Sequence, residues 1–425
     1  RGLQLAASAP LRHELLVLCG RAHGDRGAAS ASIESYRAAL DALDALDGSD
    51  DSDAADVDAQ RCRAWLGMAA GKRLADDYDG ALAALQQAEG RLGSLQRERA
   101  ELHHLRGNIL FPLGDLDGCQ REHSLSLEHA ERAGAEDLAA VAEGGLGDAC
   151  YLRGDMLAAQ AHFSRCVELC RAQRLHRVEV ANWPMLAWTR AYLGHLAAAV
   201  DDGEAAAELA RQTSHQRAEL IAQHVVGWTA LELGDLPLAR RAMARVDQLS
   251  SALRSHRFIV HSMVFSAYLA DAEGDSELAA ELVERAARTR READASYNGA
   301  FCLGALARLG RVDDDARDAA LAEAEALLRR GCAVHNHLWF YRDAIETALA
   351  RRQWQHAERF VEALLTCTPV PLPWSEHVAD YARALCAAGR VPQDAQAIEA
   401  LRAARARTAQ RGYHGYLPKL DRALY

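Results

Sequence analysis

Five short strings recur along this chain: PLGDLD, LRGDML, YLGHLA, ELGDLP and AEGDSE. Their glycines, Gly114, Gly154, Gly194, Gly234 and Gly274, are spaced forty residues apart at every step. A fixed period of this length is the signature of a repeat architecture, in which each unit buries its apolar face against its neighbours. Glycine accepts the left-handed backbone conformation that ends a helix, and the Asp that usually follows can cap the next helix or close the turn. An amphipathic run such as AAVAEGGLGDACYLR precedes the glycine, and a second, such as MLAAQAHFSRCVELCRA, follows it. Each unit therefore reads as helix–turn–helix, with apolar positions at helical spacing.

Small residues mark where the paired helices approach. Gly107, Gly147, Ala187, Gly227 and Ala267 form one column at forty-residue steps, and Ala159, Ala199, Ala239 and Ala279 form another. The segment GGLGDACYLRGDMLAAQAHFSRCVEL, with Leu146, Gly147, Gly154, Ala159 and Phe163 in the signature slots, resembles the tetratricopeptide repeat, and the forty-residue period implies longer helices. The resulting expectation is an all-α, tetratricopeptide-like helical-hairpin solenoid, a right-handed superhelix of about ten helix pairs forming a single array over residues 1–425. Regular repeats are expected over about 61–292 and irregular ones over about 293–425. Earlier units contain Trp65, Ala81, Leu85 and Ala88, and Gly20, Ser32, Tyr36 and Ala39. Between these two units the acidic stretch 47–58 has no helical period and is expected to be a solvated, mobile loop. Beyond Gly274 the spacing slips to Gly310, and the prolines of TCTPVPLP forbid a continuous helix there.

Composition excludes several classes. The net charge of −11 argues against a nucleic-acid binder, which needs a basic face for phosphates. No apolar run reaches the ~20 residues needed to cross a bilayer. The ten cysteines are scattered without a CxxC pair and read as reduced, small apolar side chains, which makes the cytoplasm the default compartment. GMAAGKR (67–73) is one residue short of a phosphate-binding loop, and Arg73 stands where the magnesium-binding hydroxyl belongs. No catalytic motif is visible. No catalytic, cofactor-binding or metal-ligating residue is assigned, and no cofactor is expected.

Two stretches are candidates for recognition. One residue after each close-packing position lies a residue expected to face the concave surface: Asn108, Asp148, Trp188, Trp228 and Tyr268. Phe111 and Tyr151 lie about one turn further on, and His104 and His224 one turn earlier. Partly exposed aromatics on an inner wall suit recognition of a peptide or domain, whereas the same tryptophans buried between helices are core. The second stretch, HNHLWFYRDA, places His335, His337, Trp339, Tyr341, Arg342 and Asp343 within ten residues. On a helix Trp339, Arg342 and Asp343 share a side with His335 one turn earlier, while His335 and His337 point apart. This stretch reads as the first helix of the penultimate pair. Arg342 and Asp343, being adjacent, are not expected to make an ideal helical ion pair. Pro184 falls inside a first helix, so that helix is expected to start late or to kink.

Several segments, notably LRGNILFPLG and HNHLWFYRDA, resemble the C-terminal helical-repeat region of bacterial proteins that carry a class III adenylate/guanylate cyclase domain and then an AAA-type signalling ATPase. The resemblance covers roughly residues 1–385. It implies that cyclase and ATPase chemistry lie upstream of Arg1, and the absence of an initiator Met agrees with a piece of a longer polypeptide. The functional expectation is a non-catalytic regulatory module that binds a peptide, protein or small-molecule signal in its groove and biases an upstream ATPase or cyclase. Its partner is then a protein or peptide, or those upstream domains, with no nucleic acid and no membrane insertion. The alternatives are a self-association scaffold that forms a homo-oligomer, and a metal-dependent enzyme built on His335–Asp343.

Overall fold

The glycine ruler becomes a set of identical turns. In the computed structural model, which describes residues 9–44, 54–253, 255–292 and 299–425, all five ruler glycines have positive φ, from +76° to +87°. At each turn the amide after the glycine reaches back to the carbonyl five residues before it: Asp155 to Cys150 (3.0 Å), Asp235 to Ala230 (2.8 Å) and Asp275 to Ala270 (2.8 Å). This bond satisfies a carbonyl the helix end would otherwise strand. The Asp then caps the next helix, as Asp115 Oδ1 does for the Gly118 amide (2.8 Å) and Asp235 Oδ1 for the Leu238 amide (3.0 Å). His195 occupies this position after Gly194 and makes no side-chain cap.

The described residues contain only helices and the turns between them. In order these are α1 (Ala9–Asp25), α2 (Ala29–Asp44), α3 (Ala54–Leu74), α4 (Tyr78–Glu89), α5 (Gln96–Leu110), α6 (Leu116–Ala133), α7 (Glu136–Arg153) and α8 (Met156–Gln173). There follow α9 (His176–Tyr192), α10 (Leu196–Gln212), α11 (Gln216–Leu233), α12 (Leu236–Leu253), α13 (His256–Glu273) and α14 (Ser276–Glu292). The C-terminal region holds α15 (Gly299–Leu309), α16 (Asp314–Arg329), α17 (Val334–Ala350), α18 (Trp354–Thr366), α19 (Pro373–Arg390), α20 (Ala395–Gln410), a 3-10 turn (His414–Tyr416) and the short α21 (Leu417–Leu424). Among the described residues successive helices follow one another as ten pairs, plus α21.

The chain folds as two units. The first comprises residues up to Ala149 together with Arg165–Leu175, and the second Cys150–Ser164 with His176–Tyr425. In the first unit Tyr36, Leu66, Leu85, Leu102 and Ile109 share one core. Its helices approach closely where glycine allows: a Cβ on Gly107 would lie 2.7 Å from the His123 ring, and one on Gly20 would lie 2.7 Å from the Tyr36 ring. In the second unit a Cβ on Gly227 would lie 2.4 Å from Met243 of the paired helix, and Ala187, Ala199, Ala239 and Ala267 have no exposed surface. The small-residue columns thus mark helix contacts, as their spacing implies.

One local expectation needs correction, one is narrowed, and one regularity is new. The acidic stretch 47–58 is not a loop throughout. Residues 47–53 lie outside the described residues, but 54–58 form the start of α3, where Asp56 sits in the positive first turn and accepts from Gln60 Nε2 (2.8 Å). Pro184 does not delay α9, which begins at His176 and carries the proline inside it. A second series of left-handed turns, between pairs, is spaced forty residues apart at Gly134 (φ 61°), Arg174 (φ 57°) and Ser214 (φ 55°). It is invisible as a glycine pattern because only its first member is glycine. The TCTPVPLP break stands as expected, with α18 ending at Thr366 and Pro373 opening α19.

Candidate interaction site

The two candidate stretches of the second unit pack against each other. The first helices α9, α11 and α13 present Trp188, Trp228 and Tyr268 on one face, and α17 lies against that face with its inward side chains. The Trp188 ring lies 5.6 Å from Trp339, and Phe265 lies 5.0 Å from the same indole. Trp374 of α19 closes on Trp228 at 5.8 Å, and His335 on Tyr151 at 6.1 Å. The expectation that Trp188, Trp228 and Tyr268 stand partly exposed on an open wall is therefore overturned. Trp228 has no exposed surface, Trp188 and Tyr268 only 5%, and His224 and Tyr151 are buried too. The reason is that later helices of the same unit fill the concavity that the repeats alone would leave open.

Polar groups bond across this seam. Tyr268 Oη donates to Asp343 Oδ2 (2.6 Å), and Arg308 of α15 donates to Asp343 Oδ1 (3.1 Å) and to Asp271 (2.5 Å). Arg342 lies over the Tyr268 ring at 4.3 Å, a cation–π contact in a desolvated place. Its Nε and a terminal nitrogen also reach Asp343 Oδ1 (3.1 and 2.9 Å), so the adjacent residues do pair, with both nitrogens on one oxygen rather than in the ideal helical geometry that adjacency forbids. Burial of both side chains holds the guanidinium folded back on its neighbour. Trp374 Nε1 donates to Glu232 Oε2 (2.9 Å), while Lys419 Nζ (2.7 Å) and Tyr381 Oη (2.9 Å) both donate to Glu346.

These surroundings set the charge states. Burial pushes the Glu232 carboxyl up to about 7, against the pull of Arg342 and the Trp374 and Tyr416 hydrogen bonds. Burial acts the same way on Glu346, but Lys419 and Arg308 outweigh it and hold that carboxyl at about 2. Burial depresses His224 and His335 to about 3, so both are neutral at physiological pH. Tyr268 is raised well above its ordinary value by burial and by Asp343.

Where the seam meets solvent it opens into a cleft of about 550 Å³, a size that suits a small ligand or a few peptide residues. Its wall combines Trp228, Glu232 and Tyr268 from the repeats with Arg308, Arg342 and Lys419 from the C-terminal helices. His337 and Tyr341 lie on the other side of α17, half-buried, with rings 6.3 Å apart. Among the described residues no three His, Cys, Asp or Glu side chains gather as a metal-binding group. No helix among them is long and apolar enough to cross a membrane.

The remaining candidates belong to the first unit, where His104, Asn108, Phe111 and Asp148 are half-buried. Asn108 Nδ2 donates to His104 Nε2 (2.9 Å), and burial, then the nearby His123 and Arg73, depresses His104 to about 3.

Sequence reasoning missed Glu232, Arg308, Trp374 and Lys419. Two of these were within reach of the ruler. Glu232 is one helical turn beyond Trp228, and one more forty-residue step from Tyr268 lands on Arg308, although the glycines slip there. Nothing in the sequence points from Glu232 to Trp374, 142 residues away.

No protein-family model matches the sequence, and comparison with curated proteins finds no match. Among solved structures the fold is similar to that of a Rap protein complexed with competence and sporulation factor, with a TM-score of 0.63 and 16% identity over 84% of this chain and 97% of that one. It is also similar to the apo form of RapI (TM-score 0.49, 12% identity, 67% of this chain and 99% of that one). A further likeness is to the apo form of the quorum sensor NprR from B. thuringiensis (TM-score 0.49, 13% identity, 88% and 100%). At such identities likeness bears on architecture: this chain has a tetratricopeptide-like helical-hairpin fold.

Proposed function

We propose that the chain is a protein-interaction module that takes a short peptide segment in the cleft of its second unit. The observation that carries this reading is the cleft itself, an opening of about 550 Å³ beside the aromatic seam, walled by Tyr268, Glu232, Arg308 and Arg342. Fixed charged groups at the edge of a packed aromatic seam give such an opening orientation. The similar Rap protein is complexed with competence and sporulation factor, which supports a binding role for this architecture. The finer reading, that occupancy biases an upstream ATPase or nucleotide cyclase, is supported by the sequence resemblance alone. The glycine ruler runs through both units, which supports treating them as one series of repeats.

A test leaves the buried network intact. Random heptapeptides displayed on phage are selected against the full chain, and the winners are titrated against Ser276→Trp and Arg422→Glu, two exposed positions on the cleft wall. Binding should weaken at least about tenfold in both, a loss of about 1.4 kcal/mol. Winners that bind both variants like the parent would sink the proposal.

A further inference from the structure

The contact between α17 and the repeats has an unusual defect. Trp228 Nε1, His224 Nε2 and His261 Nε2 on one side, and Trp339 Nε1 on the other, have no hydrogen-bond partner, though each residue is at least nine-tenths buried. Native cores satisfy nearly all such atoms, and each exception calls for a cause. Here Trp228 and His261 both lie against the Trp339 indole, at 6.4 and 5.5 Å between ring centroids, and His224 lies beside His261. The hairpins beneath, moreover, also pack within themselves: a Cβ on Gly227 would meet Met243 and Ala242 of its own partner helix. The seam is also rich in charges that water would solvate on opening, among them Asp343, which has no exposed surface.

We propose that the inner face of α9, α11 and α13 is a docking groove for an amphipathic helix, and that α17 is its resident occupant, displaced by a partner helix. The resident states the chemistry of that partner. Trp339 fills the slot between Trp188 and Phe265, Arg342 three residues on covers the Tyr268 ring, and Asp343 accepts from the Tyr268 hydroxyl. The partner is thus a helix carrying an aromatic residue followed at three and four residues by Arg and Asp, in the helix-in-groove mode. The inference goes beyond the peptide cleft. Arg342 and Glu346 of α17 form part of the cleft wall, so displacing the helix dismantles the cleft, and the two ligands exclude one another.

The test uses the full chain and a fluorescein-labelled synthetic peptide of Val334–Ala350. The wild-type chain should bind it weakly, because the tethered resident competes at high effective concentration. Trp339→Ala in the chain weakens the resident and leaves the groove intact, so it should bind the peptide at least about tenfold more tightly. A peptide carrying the same Trp339→Ala change should lose that gain. Native-state hydrogen exchange on the wild-type chain gives a second reading that needs no variant to fold. Amides of α17 should exchange through an opening that leaves α11 and α13 protected. Two results overturn the proposal: equal peptide affinity in a variant of native helicity, or α17 and α11 exchanging together only in global unfolding. Failure of the cleft peptides in the earlier experiment leaves both readouts untouched.

Discussion

At the scale of single residues the turns decide the design. Gly234 and Gly274 share a positive φ, but their surroundings differ. A Cβ on Gly274 meets nothing within 4 Å, whereas one on Gly234 lies 3.3 Å from the Gly415 nitrogen and from His414. Gly274→Ala should therefore cost about 1–2 kcal/mol, the conformational term alone. Gly234→Ala should cost more, and should loosen the C-terminal turn as well. Ser214, with φ 55°, sits in the same strained region without being glycine, so Ser214→Gly should be neutral or raise stability by up to about 1 kcal/mol. Urea midpoints of the three variants at constant slope check the ranking. A destabilised Ser214→Gly would mean that its turn is held by something other than backbone geometry.

At the scale of elements the question is what the tryptophans do. Trp228 is enclosed by Trp188, Tyr192, Trp339 and Trp374. Trp228→Ala should cost about 3–5 kcal/mol. Asp343→Asn leaves Arg308 and Arg342 buried beside a neutral side chain and should cost about 3–5 kcal/mol, as breaking a buried pair does. Denaturant titration of both variants measures the loss, and a change under 1 kcal/mol at Asp343 would show that water already reaches the network. The helices themselves were legible because Gly, Asp and the small-residue columns act locally, within one hairpin. The stripe was legible as a face, and Trp188, Trp228 and Tyr268 do share one. What covers that face was not legible. Hydrophobic periodicity says that a side chain is buried but not by what, and Trp374 and Lys419 reach the seam only through the path of the later helices. The HNHLWFYRDA element was conspicuous because burying a Trp, an Arg and an Asp on one helix face demands an equally unusual partner face.

At the scale of the whole molecule, proton linkage gives a two-sided stability profile. His224 and His335 at about 3 and His377 at about 4 are buried and neutral in the second unit, as His104 at about 3 and His123 at about 4 are in the first. Their folded values lie below the unfolded 6.5, so the unfolded chain binds more protons and stability falls as pH drops below about 6.5. Each can contribute up to a few kcal/mol to this loss. Glu232 works in the opposite sense. Its folded value of about 7 exceeds the unfolded 4.5, so it destabilises progressively as pH rises from about 4.5 through 7. Urea midpoints from pH 4 to 8 should thus fall steeply on the acid side, and Glu232→Gln, by removing the opposing contribution, should steepen the rise of stability with pH between 4.5 and 7. An unchanged slope in that variant would show that Glu232 is better solvated than its burial implies.

The long reach of the seam also has a consequence in time. Glu232 leaves the ribosome 142 residues before Trp374, the indole that covers it. At about 5–20 residues per second that interval is on the order of ten seconds. Once α14 has emerged and until α17 follows, the nascent hairpins α9–α14 display Trp188, Trp228 and Tyr268 as a bare aromatic wall. Synthesis therefore passes through a stage in which a well-formed domain is sticky, and a ribosome stalled before α17 would release a folded, adhesive fragment rather than a disordered one.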